Sequence, residues 1–266
     1  MNVKNIVSEV LKEEGVNFVI GYSEGSSGKV RPAFIKTEEE ADKLVYDSRC
    51  KQNLASYLVK KDIKKTGKMA IVANVHTLRG IIRLAGEHQL RDGNVIALIV
   101  DDKGEATALK NFEEMEAYLE TQPTGLSEED KATLAKLDAM TPKERWDFWQ
   151  DQFAKCFKCY ACRQACPLCY CDQCTTEMNQ PQWISVPSHK LGNMEWHLMR
   201  TMHLAGRCVE CGECGRACPM DIPLHLLTYK AQENIKAMYG EVSGVNRKEG
   251  CALSTFKPED KESFIG

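Results

Sequence analysis

Eight cysteines stand in two copies of one spacing: Cys156, Cys159, Cys162 and Cys166 before Pro167, and Cys208, Cys211, Cys214 and Cys218 before Pro219. C-x2-C-x2-C-x3-C-P is a spacing that holds [4Fe–4S] clusters. The reason is geometric. Three thiolates two residues apart can wrap a short loop around three corners of a cube. The fourth corner needs a ligand from another direction, and in two-cluster proteins it is the last cysteine of the other copy. The spacing therefore predicts one cluster on Cys156, Cys159, Cys162 and Cys218, and a second on Cys208, Cys211, Cys214 and Cys166. Each proline ends its loop and keeps the cysteine before it out of its own cluster's wrap. Zinc sites are usually built from C-x2-C pairs, or from a pair with two histidines, and do not need this third thiol or the Cys-Pro ending.

Three further thiols, Cys169, Cys171 and Cys174, follow the first copy as C-x-C-x2-C. Three readings are open. They hold a third iron–sulfur cluster, they hold zinc, or they pack as free thiols, which behave as small hydrophobes. A metal site here wants a fourth ligand from elsewhere. Cys50 comes first, because DSRCKQN interrupts a helical pattern. His76 is next, at a strand end in VANVHTLRG, and Cys251 in the polar tail is last. His88, His189, His197, His203 and His225 share no spacing and read as structural or surface residues. Of these, His197 and His203 are expected beside a cluster, tuning it by hydrogen bonding. No Ser–His–Asp order or paired carboxylates stand out, so no catalytic residue is expected. The glycine-rich GYSEGSSGK (Gly21–Lys29) fits neither the phosphate-loop nor the dinucleotide fingerprint and reads as a hairpin turn.

Composition narrows the class. The chain has 13 cysteines in 266 residues, eleven of them between Cys156 and Cys218. That concentration, with an acidic amphipathic N-terminus that does not read as a secretion signal, predicts metal binding in a reducing cytoplasm rather than disulfides. A net charge of −3 offers no basic footprint for nucleic acid. The longest apolar run, Asn94–Val100, is far below the roughly 20 residues of a membrane helix, so no transmembrane segment is expected. A hydrophobic share of 43% and a charged share of 27% suit a soluble globular protein.

The elements that must position the thiols divide into an α/β N-terminal domain and a mainly α-helical dicluster ferredoxin domain. Val3, Ile6, Val7, Val10 and Leu11 share one helical face. Asn17–Gly21, Val30–Ile35, Lys68–Val75 and Asn94–Val100 read as strands, with helices over 38–60 (broken near Cys50) and Thr77–His88. Such alternation implies a parallel or mixed sheet covered by helices. Residues 105–155 read as helical. Thr141, Pro142 and Glu144 form a capping-box start. Trp146, Phe148, Trp149 and Phe153 follow on that helix, either as packing or as a docking surface. The predicted boundaries are 1–122 for the α/β domain, 123–155 for a helical connector, 156–240 for the iron–sulfur domain and 241–266 for a polar tail, either disordered or ordered on contact.

Two resemblances add to this reading. The long, half-helical spacer between Cys166 and Cys208 and the ending CPMDIPLHLL (Cys218–Leu227) resemble the α-helical dicluster ferredoxin modules of succinate dehydrogenase iron–sulfur subunits and small heterodisulfide reductase subunits. Over roughly residues 1–100, VIGYSEG, VRPAFI, DSRCKQNLASYL, MAIVANVHTLRGIIRLAGEHQL and NVIALIV resemble the β-subunit family of deazaflavin-coenzyme hydrogenases and dehydrogenases, including formate dehydrogenase β-subunits. That family uses FAD and an iron–sulfur cluster to pass electrons to the deazaflavin. Where such relatives often read Gly-Cys-Asp-Ser-Arg, this chain has Val75-His76-Thr77-Leu78-Arg79, which weighs against FAD. The expectation is a non-catalytic electron-transfer subunit of a cytoplasmic oxidoreductase complex of anaerobic metabolism. Its partners would be a flavoprotein or a catalytic subunit: a formate dehydrogenase, a hydrogenase or a heterodisulfide-reductase-linked enzyme. The alternative is a flavin-linked subunit that reduces a deazaflavin or ferredoxin.

Overall fold

A computed structural model describes residues 2–101, 104–178 and 180–247. Its sheet is mixed. β1 (Val16–Glu24) and β2 (Val30–Ile35) form an antiparallel hairpin, and β3 (Lys68–Ala73) and β4 (Val95–Val100) run parallel to β1. β5 (Ala106–Leu109) closes the far edge antiparallel, so the order is β2-β1-β3-β4-β5. The middle strands β3 and β4 are buried along nearly their whole length. That explains their unbroken apolar runs, since a strand covered on both faces needs no polar alternation.

α1 (Val3–Val10) starts at Asn2, whose side chain accepts the Asn5 N–H at 2.9 Å, and buries Ile6, Val7 and Val10. Between β2 and β3 lie only the single turns α2 (Glu38–Ala41), α3 (Ala55–Leu58) and α4 (Lys61–Lys64). The helix expected over 38–60 is thus reduced to its ends. Between them Val45 N–H donates to the Tyr22 carbonyl at 3.0 Å, pairing the chain with the end of β1. The Asp47 carboxylate takes the Arg49 N–H at 2.8 Å, a local bond that competes with helix.

α5 (Val75–Gly86) crosses from β3 to β4. It begins at Asn74, whose side chain accepts the Thr77 N–H at 2.8 Å, two residues earlier than the sequence suggests. α6 (Phe112–Glu120) packs on it. β5 lies in a stretch that reads as helical. Ala-Thr-Ala-Leu has no run of β-branched residues, and only pairing with β4 makes it a strand.

The C-terminal part is helical: α7 (Glu128–Ala139), α8 (Pro142–Ala154), the single turn α9 (Ala161–Gln164), α10 (Lys190–Leu204), the single turn α11 (Glu213–Arg216) and α12 (Leu224–Tyr239). The capping box of α8 forms, with Glu144 N–H on Thr141 Oγ1 at 3.3 Å and Thr141 N–H on the Glu144 carboxylate at 2.8 Å. Its aromatic row is mostly packing. Phe153 is buried and stacks on Trp149 and His197, whereas Trp146 is exposed. α10 packs against both α8 and α12.

The apolar core of the sheet region continues into the helical part through Leu168, Leu204 and Val209. The start of the tail is pinned, Arg247 by the Glu116 carboxylate at 2.9 and 3.0 Å, and Ser243 Oγ by donating to the Arg207 carbonyl at 2.8 Å. Cys251 and the rest of the tail lie outside the described residues. Among the described residues no helix is long and apolar enough to cross a membrane.

Candidate functional site

The two C-x2-C-x2-C loops fold alike. In the first, Lys158 and Tyr160 take left-handed backbone (φ 56° and 58°); in the second, Glu210 and Gly212 do so at the equivalent positions (58° and 73°). Three of these four are not glycine. Such conformations cost on the order of 1–3 kcal/mol each and gather at functional sites. Here they turn backbone donors toward sulfur: Lys158 N–H reaches Cys156 Sγ at 3.3 Å and Glu210 N–H reaches Cys208 Sγ at 3.4 Å. Concavities of N–H groups suit anions, iron–sulfur sites included. Each loop then runs into a single helical turn, α9 or α11, and these two turns pack on each other.

That packing decides which cysteines meet. Cys156, Cys159 and Cys162 line a small void with Cys218. Cys208, Cys211 and Cys214 line another with Cys166. Each void thus takes three thiols from one loop and one from the other. Burial pushes the Cys162 and Cys208 thiols up to about 12. A bare thiolate is disfavoured there, and a bound metal centre would supply the missing positive charge. Cys166 is held below the usual thiol range by a hydrogen bond from the neighbouring Cys169.

Two buried side chains face these voids with unsatisfied nitrogen. His197 lines the first void and stacks on Phe153 at 4.8 Å, and its Nε2 has no partner. Burial, with Arg200 and Lys158 nearby, pushes its pKa down to about 3, so the ring is neutral at pH 7. Arg200 is 4% exposed and lines the second void. One of its terminal nitrogens donates to the Cys162 carbonyl at 3.1 Å, while Nε has no partner. The charges it faces are the thiols of Cys169, Cys214, Cys166 and Cys162. Tyr229, also at the second void, donates its hydroxyl to the Glu210 carbonyl at 2.9 Å. Neither Arg200 nor Tyr229 is flagged by cysteine spacing. The available sign was an arginine four residues after Trp196, on the inward face of a helix.

Cys169, Cys171 and Cys174 line a separate, wider cavity of about 490 Å³ that His203 also lines. Cys50 and His76 do not line it. Cys50 is buried under its own turn, taking the Asp47 N–H on Sγ at 3.4 Å, with its thiol 3.6 Å from the Val45 carbonyl. His76 lies in the first turn of α5, with Nδ1 3.2 Å from the Val209 carbonyl. Among the described residues, no three Cys, His, Asp or Glu side chains converge closely enough to hold one metal ion. Of Gly21–Lys29, Gly21–Glu24 end β1 and Gly25–Lys29 form the turn to β2, closed by Gly25 N–H on the Lys29 carbonyl at 2.7 Å.

No family profile matches the chain. Over 99 residues it is 35% identical to the F420-dependent formate dehydrogenase subunit beta of Methanocaldococcus jannaschii, covering 37% of this chain and 25% of that relative. Over 105 residues it is 29% identical to the F420-dependent formate dehydrogenase 1 subunit beta of Methanococcus maripaludis, covering 40% of this chain and 26% of the relative. The chain thus spans about a quarter of the length of these curated relatives. Over the matched stretch it is related to the formate dehydrogenase-like β-subunit family.

Proposed function

We propose that this chain is an iron–sulfur electron-transfer subunit of a larger oxidoreductase complex. A [4Fe–4S] cluster would sit on Cys156, Cys159, Cys162 and Cys218, and another on Cys208, Cys211, Cys214 and Cys166. The observation that carries this reading is the crosswise lining of the two voids. Four thiols lining one void, three from one loop and the fourth from the other, match the ligand pattern of two-cluster proteins. When bound, such clusters accept and release single electrons, at potentials set by burial, hydrogen bonds to sulfur and nearby charge. In this chain the Lys158 and Glu210 N–H groups would serve sulfur, and Arg200 would offset cluster charge. Electrons would pass between a catalytic subunit and a redox partner of an anaerobic, cytoplasmic complex, and the relatives' names make formate dehydrogenase the leading case.

Those names also favour a second reading, a flavin-linked subunit that reduces a deazaflavin. Iron, acid-labile sulfide and flavin counts on anaerobically purified protein, with electron paramagnetic resonance, separate the two. The expected result is at least about eight irons per chain and no flavin. Flavin released on denaturation would move the assignment to the second reading. Cys159→Ala and Cys211→Ala are each expected to lose about four irons and to loosen the fold, because ligation contributes folding energy. Full iron content in either variant overturns the ligand assignment.

A further inference from the structure

We propose that the wide cavity beside the second void holds a third, four-iron centre, with Cys169, Cys171 and Cys174 as three ligands and His203 as the fourth. This rests on reading the chain as an iron–sulfur protein and adds a ligand set to it. α10 forms one wall. Trp196, Arg200 and His203, spaced by four and three residues, all reach its lining, the first two buried and His203 exposed, and the loop after the first motif supplies the three thiols. His203 is the histidine on that lining. The other acid–base side chain there, Glu87, is already engaged by Arg207 at 2.6 and 2.7 Å, Arg83 at 2.8 Å and Tyr170 at 2.6 Å.

The charge of the cavity points the same way. Arg200 lines it from a position 4% exposed, and its Nε has no partner. Arg163 and Arg207 also line it, but each is paired with a carboxylate, Glu177 and Glu87 respectively. Arg200 thus brings a desolvated cation to this cavity, held by the Cys162 carbonyl and lying beside the Cys169 and Cys214 thiols, with no carboxylate among the described residues paired to it. A cluster carrying thiolates is net anionic and would satisfy it, whereas a lone divalent cation would add positive charge beside Arg200. Leu168, Arg200 and Leu204 line both this cavity and the second void, so the third centre would adjoin the second. Cys171 is exposed, which places the cavity at the surface.

The test compares wild type with Cys171→Ser, His203→Ala and His203→Cys, all purified anaerobically. Iron and zinc are counted, and the reduced proteins are examined by pulsed electron paramagnetic resonance with and without ¹⁵N-histidine. Cys171→Ser is expected to lose about a third of the iron while keeping the signals of the other two clusters. Wild type is expected to show a histidine-nitrogen coupling that vanishes in His203→Ala, and His203→Cys to restore the iron without that coupling. Unchanged iron in Cys171→Ser overturns the third centre while leaving the two-cluster reading intact. Loss of zinc instead of iron overturns the cluster, and an unchanged coupling in His203→Ala overturns the ligand. Protein without any iron removes the two-cluster reading itself.

Discussion

Arg200 lies where it would act on both proposed clusters. Its guanidinium is buried between the thiols of both loops and has an unsatisfied Nε. A buried cation favours the more negative, reduced state of a neighbouring cluster, because charge interactions are strong where water is excluded. Arg200→Gln is therefore expected to shift the reduction potentials of both clusters in the negative direction, and Arg200→Lys to shift them less. Redox titration monitored by electron paramagnetic resonance reads this directly. Unchanged potentials in an Arg200→Gln protein with full iron would refute the role. The cysteines that surround Arg200 were legible in the sequence because wrapping a cube demands their spacing. Arg200 was not, because a helical arginine is ordinarily solvated and only tertiary packing reveals that this one faces inward.

At the scale of elements, α8 carries the clearest local signals. Thr141, Pro142 and Glu144 specify its start without help from the rest of the molecule. Thr141→Ala is expected to cost about 1 kcal/mol in anaerobic urea unfolding. Phe153→Ala is expected to cost about 3–5 kcal/mol, because Phe153 is buried and stacks on both Trp149 and His197. A much smaller loss would mean that α10 does not depend on this contact. β5 and the stretch between α2 and α3 illustrate the opposite case. Their conformations answer to pairing partners, β4 and the end of β1, that lie far away in sequence.

Across the whole molecule, α5 joins the sheet region to the second cysteine loop. Arg79, buried in α5, reaches the Glu210 carboxylate at 3.0 Å and the Ser243 carbonyl at 2.9 and 3.1 Å. Glu210→Ala would leave that cation without its counter-charge, at an expected cost of about 3–5 kcal/mol in the same unfolding assay. His76 adds a pH dependence. Burial, and then the charge of Arg79, hold its pKa below the usual histidine value. The unfolded chain therefore binds more protons below about pH 6.5, and stability rises with pH through that window and falls on acidification. His76→Gln should lose less stability than wild type between pH 7 and pH 5. Parallel curves would show that His76 does not contribute.

Sequence alone determined the cofactor class expected, the strands β1 to β4 in outline, and the start of α8. Each of these depends on residues close together in the chain: a ligand loop, an apolar run, a cap. Tertiary structure decided that α9 packs on α11, which brings Cys218 beside the first loop and Cys166 beside the second. It also separated Cys50 and His76 from Cys169, Cys171 and Cys174, and placed His203 among the residues lining the same cavity as those thiols. These outcomes depend on the packing of elements against one another, which spacing along a single chain does not encode.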